Sequence, residues 1–116
     1  MVILGIDPGL AIVGYGVLEY EKSRFRVLDF GAIRTPAGMR TEDRLCKIHR
    51  GMNELIDRYR PSEMAVEELF FVKNITTGIS VAEARGVILL AAREKGLNIG
   101  EYTPMQVKQA VVGYGM

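Results

Sequence analysis

Apolar residues fill positions 2–6 (VILGI) and stop at Asp7-Pro8-Gly9, which predicts a short buried strand closed by a turn. Positions 12–20 and 24–33 are rich in β-branched and aromatic residues. The polar link Glu21-Lys22-Ser23 joins them, so an antiparallel hairpin is expected. Pairing of the first strand with the second would make a three-stranded meander. Gly14 and Gly16, inside the second strand, imply either close approach of backbone or ligand, or tight packing. A loop over 35–40 follows, then Leu45, Ile48, Met52, Leu55, Ile56 and Tyr59 recur at helical spacing. Thr41 is the expected N-cap of that helix, Glu42 and Asp43 suit its first turn, and Pro61 stops it. Residues 63–69 predict a strand and 70–77 a loop. The capping-box pattern Ser80-x-x-Glu83 opens a helix over 80–95, closed by Gly96. A strand over 98–102 and a last helix over 104–112 complete the pattern, with Pro104 at the first helical position and Gly113 as the stop.

The order β-β-β-α-β-α-β-α predicts an α/β fold. It is a single domain over 1–116 with a mixed five-stranded sheet and helices on both faces. In such sheets ligands gather at the carboxyl ends of the parallel strands, where Asp7 and Glu67 lie.

Composition narrows the functional classes. A net charge of +1 is no global signature of nucleic-acid binding, so affinity for phosphate must come from a local patch or a metal. The lone Cys46 excludes an internal disulfide and fits a reducing cytoplasm. The longest apolar run, 87–92, falls far short of the roughly 20 residues of a membrane span, and the N-terminus shows no signal peptide.

Several residues carry candidate chemistry. Asp7, at a strand end before Pro-Gly, is either a ligand or a turn former. Glu67 and Glu68 follow the apolar Met64-Ala65-Val66 and point to opposite faces. In a central strand one of them needs a cation, a metal or a proton, and spacing alone does not choose between them. Phe70, Phe71, Lys73 and Asn74 form a loop suited to stacking on bases and touching phosphates, or to filling the core beneath it. Arg85 and Gly86 interrupt an apolar helix whose small residues permit close packing, on the sheet or on a second copy, and Arg85 joins Phe70, Lys73, Asn74 and Lys108 as a candidate DNA contact. Lys108 is a candidate phosphate contact or a solvated charge. Cys46 and His49, three apart on a helix, do not make a zinc site. Neither a nucleophile elbow nor a Walker or GxGxxG sequence is present.

Taken in order, ILGIDPGL, VGYGV, AVEELFFVKN, EARGVILLAA and QVKQAVVGYG resemble the RuvC family of Holliday junction resolvases along the whole chain. The resemblance implies an RNase H-like fold and a homodimer in the bacterial cytoplasm. It implies magnesium-dependent cutting of four-way DNA junctions, and a branch-migration helicase complex as partner. It matches Asp7 and Glu67 to two of four magnesium-binding acids, with two ions in the full site, and makes Glu68 no ligand. Phe70 matches the aromatic residue at the junction centre, Lys108 a basic position near the scissile phosphate, and the helix over 80–95 the dimer-forming helix. The family continues with C-terminal helices carrying two more acids. The chain is therefore expected to be the first two-thirds of a resolvase, lacking those helices, holding one ion at most and cutting weakly or not at all.

Two other readings compete. An actin-like or sugar-kinase-type ATPase shares the strand order, but Leu10-Ala11-Ile12 replaces the Ser/Thr-rich phosphate grip expected after Gly9. A non-catalytic module that binds DNA junctions is the other.

Overall fold

The first three strands pair as consecutive segments, because each connection is short enough to fold back directly. In the computed structural model, β1 (Val2–Asp7) runs antiparallel to β2 (Ile12–Glu21), which runs antiparallel to β3 (Arg24–Arg34). Helix α1 (Thr41–Tyr59) then returns the chain to β4 (Glu63–Glu67), parallel to β1, and α2 (Ile75–Glu94) leads to β5 (Asn98–Tyr102), parallel to β4. The sheet order is β3-β2-β1-β4-β5. The structure describes residues 1–67 and 75–102, the side chains of 75–77 and 102 excepted. The predicted last helix, over 104–112, lies outside the described residues.

Strand alternation divides the sheet into two unlike faces. Leu4 and Ile6 of β1, Val13 and Val17 of β2, and Met64 and Val66 of β4 are buried on one face. There they meet Ile48, Met52, Leu55 and Ile56 of α1 and Ala84, Ile88, Ala91 and Ala92 of α2 in one core. Both described helices thus pack on the same face. This is what right-handed crossovers produce when β3→α1→β4 and β4→α2→β5 step in the same direction across the sheet. The alanines of α2 serve this core, so much of its small-residue surface is spent on packing within the chain.

The far face is different. Phe30, Gly16, Gly5, Ala65 and Gly100 are partners in one row across all five strands. This row is nearly free of side chains, and nothing lies within 4 Å of a Cβ built at Gly16. Gly16 is therefore not there to admit tight packing among the described residues. Phe30, at the end of the row, is 79% exposed.

Helix boundaries depart from the sequence pattern in two places. The carbonyl of Arg40 accepts hydrogen bonds from the N–H groups of Asp43 and Arg44, so Arg40 rather than Thr41 is the N-cap, and no side chain caps the helix. Helix α2 starts at Ile75, inside the expected 70–77 loop, so Ser80 and Glu83 are an ordinary i, i+3 pair in its interior. The helix tolerates Gly78 at a cost of about 1 kcal/mol. Arg60, just before Pro61, adopts a left-handed conformation that ends α1, and Gly96 does the same after α2.

The β2–β3 turn also places Lys22 (φ 52°) and Ser23 (φ 62°) in the left-handed region, which glycine and asparagine tolerate best. Replacing the pair with Asn-Gly (Lys22→Asn with Ser23→Gly) should raise unfolding stability by about 1–2 kcal/mol, measured by urea denaturation.

Candidate metal and nuclease site

Asp7 is the last residue of β1 and Glu67 the last of β4. Gly5 pairs with Ala65 in the parallel register, so two residues further along the same parity brings Asp7 and Glu67 side by side on the far face. The register thereby selects Glu67. Glu68 lies outside the described residues. Gly14 pairs with Asp7 on the other side and leaves the carboxylate uncrowded.

Two carboxylates this close repel when both are ionised. Burial, together with the hydrogen bond and charge of Asp7, pushes the Glu67 carboxyl above its ordinary value. The pair therefore favours either a shared proton or a cation between the two groups. Oxygen donors of this kind suit a hard divalent ion. Among the described residues, no third His, Cys, Asp or Glu joins them. The two acids thus fit one ion held by carboxylates and completed by water or phosphate oxygens.

The loop after Asp7 is held from below. A Cβ at Gly9 would collide with the carbonyl of Ile12, so this tight turn requires glycine. The Thr35 side chain, 4% exposed, donates to the Leu10 carbonyl at 2.6 Å, and the Thr35 N–H donates to the Ala11 carbonyl at 2.9 Å. Arg44 on α1 donates from Nε to the Thr35 hydroxyl at 2.8 Å and from Nη2 to its carbonyl at 3.1 Å. This clamp ties the β1–β2 loop to α1. Nothing in the sequence pattern singled out Thr35 or Arg44, because their partners are 25 and 9 residues away.

Arg85, a candidate DNA contact, has a partner within the chain. Its side chain is 16% exposed and its guanidinium pairs with Glu101 at 2.9 Å, on the helix-covered face of the sheet. Glu101 lies on that face because its strand partner is the buried Val66. Arg85 fastens α2 to β5 and is not offered to a ligand on the carboxylate side. His49 pairs with Glu94 at 3.0 Å and Cys46 is exposed, so the two do not act together. Phe70, Lys73, Asn74 and Lys108 lie outside the described residues.

Comparison with known proteins settles the family. Residues 3–116 match the family of crossover junction endodeoxyribonuclease RuvC. The chain belongs to the RuvC family. It is 57% identical to the crossover junction endodeoxyribonuclease RuvC of Halothermothrix orenii over 99% of its own length and 70% of that protein's. Its fold superposes on T. thermophilus RuvC in complex with Holliday junction substrate with a TM-score of 0.89 and 38% identity, covering 100% of this chain and 71% of that one. The RNase H-like fold that the resemblance implied is thus borne out. An Aquifex aeolicus Ppx/GppA protein shares the fold at a TM-score of 0.58 and 20% identity, over 100% of this chain and 40% of that one. That likeness is of fold alone. RuvC proteins are hydrolytic nucleases of a class that needs a divalent metal. No helix among the described residues is long and apolar enough to cross a membrane.

The raised Glu67 carboxyl has a thermodynamic consequence. The folded chain binds that proton more tightly than the unfolded chain. The associated stability is therefore complete below the ordinary glutamate range and is lost as pH rises through the raised value. In metal-free buffer, Glu67→Gln should melt at a higher temperature than the parent at neutral pH. The difference should vanish in acid, as read by calorimetry across a pH series.

Proposed function

We propose that Asp7 and Glu67 hold a catalytic divalent ion, magnesium by its preference for oxygen ligands, and that the chain hydrolyses phosphodiesters at four-way DNA junctions. The observation that carries this reading is the parity match that sets the two carboxylates side by side on one open face at the strand ends. Family membership, and relatives described as crossover junction endodeoxyribonucleases, support it.

The roles of the chain's own groups follow from their placement. Asp7 and Glu67 supply the negative charge that attracts the ion and fix its position relative to the sheet. The ion, when bound, polarises a phosphoryl oxygen and lowers the pKa of a coordinated water. The glycine row beside the carboxylates keeps side chains from blocking a phosphate that approaches from the far face. The Thr35–Arg44 clamp restrains the loop that follows Asp7, so the carboxylate needs little reorganisation to meet its ligand. Hydrolysis would leave a 5′ phosphate and a 3′ hydroxyl. One ion is the capacity of these two acids; the two-ion site that the family resemblance implies needs further carboxylates. Phe70, Lys73, Asn74 and Lys108 are proposed DNA contacts on the same resemblance.

A homodimer is part of this reading. Ile79 (58% exposed), Gly86 and Leu90 (56% exposed) recur along one side of α2, away from its core-facing alanines. This side, which also carries the exposed Glu83, has a glycine at its centre and suits close contact with the same helix of a second copy. Action on chromosomal DNA places the protein in the bacterial cytoplasm, and a branch-migration helicase is a partner that the family implies.

Two experiments test these claims. Asp7→Asn should reduce magnesium-dependent cleavage of a four-way junction by about 10³-fold or more while junction binding in gel shifts persists. Cleavage retained by that variant would remove the metal assignment. Leu90→Glu should shift the protein from dimer to monomer in analytical ultracentrifugation, with its far-ultraviolet circular dichroism unchanged.

A further inference from the structure

The helix-covered face carries a second feature, remote from the carboxylate pair. Where α1 lies beside the edge strand β3, they leave a groove of about 1110 Å³, larger than the pocket of a typical small ligand. Its helix wall carries Lys47, Arg50 and Arg58 of α1, and Tyr15, Ile33 and the backbone end of β3 at Arg34 line the sheet side.

The charge of this groove is unbalanced. Of its two acids, Asp57 is taken by Lys95 at 3.0 Å, which leaves Glu54 alone among the three helix cations. None of the three forms an ion pair with an acid among the described residues. Arg58 lies over the Tyr59 ring, 5.9 Å from its centroid, and keeps its charge available. In a chain of net charge +1, such a concentration is a local field that attracts an anion.

Length and position say which kind. From Lys47 to Arg58 the helix rises about 16 Å, the axial span of roughly five base pairs. A single phosphate would use one or two of these cations, whereas a polymer of phosphates uses all of them. Arg34 pairs with Ile12, two residues along β2 from the Gly14 that pairs with Asp7. One end of the groove therefore opens at the sheet edge that holds the carboxylates, and the groove descends the opposite face from there.

We propose that this α1–β3 groove binds the phosphate backbone of a duplex arm of the DNA substrate, as an anchoring surface separate from the metal site. The inference rests on the nuclease reading above, but uses none of the residues assigned to catalysis. Its energy is electrostatic and indifferent to base sequence. Its contribution requires an arm long enough to leave the site and reach the groove.

The test measures binding in the cleavage-deficient Asp7→Asn protein with two four-way junctions, one with arms of several helical turns and one with arms of less than a turn. Adding Lys47→Gln and Arg50→Gln should weaken binding of the long-armed junction about tenfold at low salt. It should also reduce the slope of log affinity against log salt by about 2, as for two lost phosphate contacts. The short-armed junction should bind both proteins alike. The pair Lys47→Arg and Arg50→Lys, which keeps both charges, should restore affinity and slope and so exclude a folding defect. An unchanged slope and affinity for the long-armed junction would overturn the groove and leave the nuclease reading standing, with an acidic protein as the remaining kind of partner. Equal losses on both junctions would also overturn it. Failure of the Asp7→Asn protein to bind any junction would overturn both readings.

Discussion

Register between two parallel strands is the constraint on which the site depends. Hydrogen bonding sets Gly5 beside Ala65, and the two-residue period of a strand then leaves no freedom over which side chains meet at the strand ends. Leu4, Ile6, Met64 and Val66 are committed to the core by their burial, so Asp7 and Glu67 are committed to the opposite face. A slip of one residue would bury the glutamate beneath the helices and expose Val66. The hydrophobic core thus enforces the proximity of two like charges, which those charges would oppose if left to themselves.

That enforcement explains why the two faces look so unlike. The helix face is filled by branched side chains and alanines, which interlock and hold the sheet flat enough for α1 and α2 to lie side by side. The far face carries glycine and alanine next to the acids and one exposed phenylalanine at its end. Among the described residues, the buried core lies on one side of the sheet and the two acids on the other. The polar contacts that matter most serve the junctions between the two: Thr35 and Arg44 beneath the β1–β2 loop, Arg85 and Glu101 between α2 and β5, and the 2.6 Å bond from the Tyr59 hydroxyl to Asp29 that ties the end of α1 to β3.

Much of this was legible in the sequence, and the rest was not for identifiable reasons. All five strands and both described helices announce themselves by period and by turn residues, and the VILGIDPG and MAVE segments mark both acids. The choice between Glu67 and Glu68 was not legible, because it depends on a register set by a partner some sixty residues away. Thr41 and Ser80 looked like caps because a cap is inferred from residue type, whereas the true boundary is set by which carbonyl accepts the first helical hydrogen bond. The ion pair of Arg85 was not legible either. Its partner, Glu101, sits on a strand whose facing could be known only once β5 was placed beside β4.

The strand order also bears on how the molecule comes into being. Ile3 pairs with Leu18 on one side and with Glu63 on the other, so the second contact closes a loop about fourfold longer. The added chain entropy is only about 1 kcal/mol, but it must be met before the contact returns anything. The β1–β2–β3 meander is therefore the element best able to form early, with Asp7 already at its edge, and β4 joins through α1 afterwards. During that interval the edge of β1 is an unpaired strand of alternating apolar residues, open to any other chain that offers one. The strand that completes the site is thus also the one that protects the nascent protein from aggregation.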